Sequence, residues 1–127
     1  MFVDSHCHLD RLDYDKKHRD LADVLQKAQQ RGVSHFLSVS VTLEAFPAML
    51  QSVLPYPNVF ASCGVHPLDL ESTWSSEQLR ELAAHPRVVA IGETGLDYYY
   101  STENKAEQQQ AFREHIRLSR ALKKPVI

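Results

Sequence analysis

The residues best equipped for chemistry open the chain, in the run Asp4-Ser5-His6-Cys7-His8-Leu9-Asp10. In extended backbone alternate side chains share a face, so His6 and His8 project together while Cys7 points away. Two imidazoles spaced this way form a chelating pair for a borderline cation such as zinc. The spacing alone also fits two histidines in a polar loop. Two further stretches carry comparable groups, Gly64-Val65-His66-Pro67 and Gly92-Glu93-Thr94-Gly95-Leu96-Asp97-Tyr98. A carboxylate directly after an apolar strand is costly to bury without a cation or a hydrogen-bond partner, which marks Glu93. The plainer readings are a loop glutamate reaching solvent, and for His66 a His-Pro turn.

Something must bring these three stretches together. Met1-Phe2-Val3 is short and apolar, as a buried strand would be. Leu21, Val24, Leu25 and Ala28 then mark one face of a helix, with Gly32 placed to end it. His35 to Val41 reads as a second strand, with His35 at its start and therefore structural. Leu43, Phe46, Leu50, Val53 and Leu54 form another helical stripe, with Pro47 tolerated in the first turn.

Val59 to Gly64 supplies a third strand, ending just before His66. Ser75 and Gln78 read as a capping box for a helix carrying Leu79, Leu82 and Ala83 that stops before Pro86, leaving His85 at its end. Val88 to Ile91 is a fourth strand, too apolar for exposure on either face. The helix after Asn104 presents Phe112, His115, Ile116 and Leu122 along one side, with His115 packed rather than ligating. Tyr98-Tyr99-Tyr100 is expected to pack over the mouth of the sheet, since no basic residue is interleaved to suggest base stacking. Lys124-Pro125-Val126-Ile127 begins a fifth strand.

Strands near positions 2, 35, 59, 88 and 125, separated each time by a helix, predict a parallel α/β sheet with right-handed crossovers. In such folds ligands meet the chain at the carboxyl ends of strands, where His6, His8, His66 and Glu93 all fall. At 127 residues the chain holds one domain with a real core. A formal charge of −2 gives no global basic field toward nucleic acid. Cys7 and Cys63 form no Cys-x-x-Cys pair and read as reduced thiols of a cytoplasmic protein. No apolar run approaches 18 residues, so no membrane contact is expected, and no obligate protein partner is evident.

Taken together, the three motifs resemble the TatD family of metal-dependent hydrolases, and the similarity runs through all 127 residues in order. The resemblance implies an amidohydrolase-like (β/α)8 barrel with two divalent cations (zinc, manganese, magnesium or nickel). It implies hydrolysis of phosphodiester bonds, with DNA or another phosphoester as substrate. By the same resemblance His6 and His8 would bind one metal, Glu93 would bridge both, and His66 and Asp97 would bind substrate or orient ligands. A (β/α)8 barrel needs about 250 residues, so residues 1–127 correspond to the first four βα units and the start of strand five. The family's other ligands, two histidines and an aspartate, and its general base would then lie beyond position 127, the first immediately after Ile127. Two other readings stay open. One is hydrolysis of a small ester or amide, against which stands the absence of a lysine near Glu93. The other is a non-catalytic half-barrel interaction module.

Overall fold

A computed structural model describes all of residues 1–127. Four parallel strands, β1 (Phe2–Cys7), β2 (Val33–Ser38), β3 (Val59–Cys63) and β4 (Val88–Ile91), lie in the order β1-β2-β3-β4. Val126 extends the series through one parallel bridge to Ile91. Helices α1 (Leu21–Gln30), α2 (Phe46–Val53), α3 (Ser76–Ala83) and α4 (Lys105–Leu122) fill the connections. This is the alternation expected for βα units, in which each crossover returns the chain to begin a neighbouring parallel strand.

The elements begin and end where local chemistry says they should. Asp20 caps α1 by accepting the Asp23 N–H, and the chain leaves that helix through Gly32 at φ 88°. Ser75 caps α3 by accepting the Gln78 N–H. Pro47 sits in the first turn of α2, where no N–H is needed. One apolar core, drawn from Phe36, Phe46, Met49, Val59, Leu79, Val88, Ile91 and Leu118 among others, lies between the sheet and the helices.

Three expectations are corrected. The opening strand is exposed rather than buried, with Phe2 at 69% and Val3 at 60% of full exposure. Within residues 1–127 it is the edge of the sheet and pairs with β2 alone. The inward face of α4 is Gln108, Ala111, His115 and Leu118, while Ile116 is exposed and Phe112 half-buried. The apolar stripe read from sequence lies about one position round the helix from the true contact. Tyr99 and Tyr100 do not pack over the sheet. They are exposed and stack edge-to-face on each other, 4.9 Å apart.

Two long cations tie helix ends to neighbouring elements. The Arg87 guanidinium, at the foot of β4, donates to the carbonyls of Val53, Leu54, Tyr56 and Val59, closing the carboxyl end of α2. Lys124 Nζ does the same for α3, donating to Ala83 O and His85 O. Both place positive charge where the helix dipole is negative. No helix is long and apolar enough to cross a membrane.

Candidate metal centre

The carboxyl ends of β1, β3 and β4 meet at one rim of the sheet. His6 lies in the last turn of the pleat of β1, and His8 one residue past its end. Glu93 stands two residues beyond β4, held there by its backbone, whose N–H donates to Ser40 O at 2.8 Å. Ser62 ties the same point down from β3: its hydroxyl donates to Gly92 O at 2.7 Å and accepts the Ser40 N–H at 3.1 Å.

Gly64 and Gly92 are where side chains would not fit. A Cβ on Gly64 would lie 2.5 Å from the Gly92 Cα, and one on Gly92 would lie 2.0 Å from Ile127 O. The two glycines therefore serve close packing of strand ends against each other.

Glu93 is faced from three directions. His6 Nε2 is 3.1 Å and His8 Nε2 3.5 Å from Oε2, and His66 Nε2 is 3.5 Å from Oε1. One candidate ligand atom from each of His6, His8 and Glu93 falls within a common span of 4.8 Å. The rings of His6 and His8 meet edge-to-face at 5.3 Å, so the alternation along β1 does place them side by side. Cys7 points the other way, and its thiol donates to Leu37 O at 3.3 Å.

Hydrogen bonds fix the tautomers. His8 Nδ1 lies 2.8 Å from Val39 O. A carbonyl only accepts, so Nδ1 carries the proton and Nε2 of the neutral ring presents a lone pair to Glu93 Oε2. Two acceptors then face each other across 3.5 Å, a pairing that is favourable only with a proton or a cation between them. His66 is set the opposite way. Its Nδ1 accepts the Leu68 N–H at 3.0 Å, so Nε2 carries the hydrogen that faces Glu93.

Asp97 takes another position. Its carboxylate accepts the Tyr99 N–H at 3.0 Å, and its backbone pairs twice with the Gln108 amide, at 2.8 and 2.9 Å. It makes no hydrogen bond or ion pair with His6, His8, His66 or Glu93. A cleft of about 310 Å³ opens beside the cluster, lined by His8, His66, Asp69, Glu93 and Arg11 among others. Arg11 has no role in the sequence reading, because a cation two residues after Leu9 carries no signal of its own. A larger cleft, about 840 Å³ between α4 and the segment leading into α3, contains none of these residues. Volume alone does not find the site; convergent polar groups do.

An α/β sheet of parallel strands that gathers its polar groups at the carboxyl rim is the architecture of a (β/α) barrel, here seen in part. The sequence model of the TatD related DNase family matches residues 3–127, and the chain belongs to that family. It is 53% identical over 125 residues to the uncharacterized metal-dependent hydrolase YcfH of Escherichia coli K12, covering 98% of this chain and 47% of that one. It is 39% identical over 110 residues to the 3'-5' ssDNA/RNA exonuclease TatD of Cronobacter turicensis, covering 84% and 41%. The crystal structure of YjjV, a TatD homolog from Escherichia coli K12, superposes with a TM-score of 0.83 at 32% identity, over 98% of this chain and 49% of that one. The chain thus spans about half the length of the curated relatives it matches.

Proposed function

We propose that the chain carries the amino-terminal part of the active site of a metal-dependent hydrolase that cleaves phosphodiester bonds in nucleic acid. The carrying observation is the His8–Glu93 contact, where a lone pair fixed by the Val39 carbonyl points at a carboxylate oxygen. Two neutral imidazoles and one carboxylate are a suitable donor set for a divalent cation such as zinc or manganese, and they leave coordination positions open. His6, His8 and Glu93 would hold it. A cation there would supply Lewis-acid charge for a phosphoryl oxygen and lower the pKa of water.

The residues of the chain do the rest. Glu93 directs its two oxygens to different neighbours, Oε2 to His6 and His8 and Oε1 to the His66 N–H, so Oε2 is the oxygen that would join the two imidazoles in holding a cation. His66 presents an N–H to the cleft, a donor for a substrate oxygen once Glu93 is otherwise engaged. Asp97, whose carboxylate is spent on the Tyr99 N–H, acts in this reading by shaping the loop after Glu93. The choice of nucleic acid follows the exonuclease named among the relatives. No lysine lines the cleft, which argues against a centre bridged by a modified lysine. We read residues 1–127 as one domain, the amino-terminal half of such a barrel, and its two free thiols suit the reducing cytoplasm.

Calorimetric titration with manganese or zinc tests the metal half of this reading. Binding to the wild-type chain should weaken at least tenfold, by the scale on which metal-site residues act, in H8A and in Glu93→Gln. Equal affinity in all three proteins would refute it. Release of nucleotides from single-stranded DNA by the metal-loaded protein, compared with an aryl ester and a cyclic amide, tests the bond that is cut.

A further inference from the structure

The end of β3 poses a problem in backbone hydrogen bonding. Cys63 O accepts the Gly92 N–H at 2.9 Å, and the His66 N–H donates to Val41 O at 2.9 Å. Between them Val65 is 1% exposed, and no backbone carbonyl accepts its N–H. A buried N–H without an acceptor is costly, so something else must fill the place. The acceptor comes from 50 residues away: Val65 N–H donates to His115 Nε2 at 2.9 Å.

His115 is built to be that acceptor. It is fully buried on α4, and its Nδ1 lies 2.7 Å from Ala111 O, one turn earlier in the same helix. The carbonyl claims the ring proton for Nδ1 and leaves the Nε2 lone pair for Val65. Trp74, just before α3, lies against the ring at 5.8 Å between centroids. Burial lowers the pKa of the ring, which keeps it neutral and able to accept.

We propose that His115 is a positioning residue for the cleft. By accepting the Val65 N–H it fixes the Gly64–Pro67 segment, and so sets His66 in the one tautomer that presents Nε2–H to Glu93. His115 touches neither Glu93 nor the His6–His8 pair, and its influence runs through one backbone amide. The consequence for catalysis rests on the cleft being the hydrolytic site. The geometric claim does not, and it is measurable without metal or substrate.

Nitrogen-15 NMR of the imidazoles in the whole chain provides the test. In the wild type, His66 should show the single pattern of an Nε2–H tautomer, and a scalar coupling should connect the Val65 amide nitrogen with His115 Nε2. In H115F, which keeps a ring but offers no acceptor, Val65 amide protection should drop by roughly tenfold. The His66 pattern should then become an average of two tautomers. His115→Gln, whose amide can both accept and donate, should restore the single pattern. An unchanged His66 pattern in folded H115F overturns the proposal. If that variant does not fold, the wild-type coupling decides. Its absence overturns the proposal, and its presence together with a single His66 tautomer sustains it. Equal metal affinity of wild type, H8A and Glu93→Gln in the titration above would sink the functional reading while leaving these signals as they are.

Discussion

At the scale of single residues, burial decides which reactive groups are inert. Cys63 is fully buried at the end of β3, and removal from water pushes its thiol up to about 12, only partly opposed by the charge of Lys124. A thiol in that state is almost never a thiolate at neutral pH, and the thiolate is the reactive form. We expect Cys63 to react with a disulfide reagent only through opening of the fold. Its labelling rate in native buffer should be at least a hundredfold below the rate in denaturant, by the usual free energies of local and global opening. A rate within tenfold of the denatured value would show that the end of β3 is not packed as described. The histidines illustrate the converse. His6, His8 and His66 keep partial exposure and face a carboxylate, whereas His115 has both nitrogens occupied. Residue type alone could not separate these roles. The position of each histidine relative to a strand end separates the first three, since parallel sheets assemble their sites there. The helical stripe already sets the fourth apart as packed rather than ligating, but not its partner, an amide 50 residues away.

Among elements, the strands and the Ser75 cap were legible because each is a pattern within a few residues: an apolar run, or a serine three positions before its N–H. What escaped depends on neighbours. Exposure of β1 goes with its place at the edge of the sheet within residues 1–127, and the inward face of α4 with its packing on β4. The Arg87 clamp is equally invisible, since its four carbonyls lie 28 to 34 residues earlier in the chain. Its contribution should be large for a single side chain. Replacing Arg87 with alanine leaves the last carbonyls of α2 without their donor and removes the packed stem. Charge-assisted hydrogen bonds of this kind are worth about 1.5–3 kcal/mol. Chemical denaturation should show a loss of about 2 kcal/mol, with lysine recovering part of it because a single ammonium cannot fan out over four acceptors. A loss below roughly 0.5 kcal/mol, the range of ordinary surface substitutions, would mean that the clamp is decorative.

For the molecule as a whole, the buried polar contacts set how stability responds to acid, and two of them act in different windows. His115 has its pKa lowered by burial, with the Ala111 carbonyl and Glu114 acting in the opposite direction. The unfolded chain therefore takes up a proton near pH 6.5 that the folded chain refuses, and stability falls as pH drops below that value. Asp23 is lowered to about 2 by its hydrogen bonds from Lys27 and the Arg19 N–H, aided by the charges of both residues. Its contribution is present above about pH 3.8 and fades as pH falls toward 2. Melting temperature should accordingly decline in two steps on going from pH 8 to pH 2. A neutral side chain at position 115 separates them. In His115→Gln the first decline, which sets in below about pH 6.5, should flatten, because glutamine takes up no proton in either state. The second should persist, since Asp23 sits on α1, far from α4 in the strand order. If His115→Gln keeps the full slope of the wild type just below about pH 6.5, another group carries the acid response. The buried imidazole that joins α4 to the rim of the sheet would then not be held neutral by the fold.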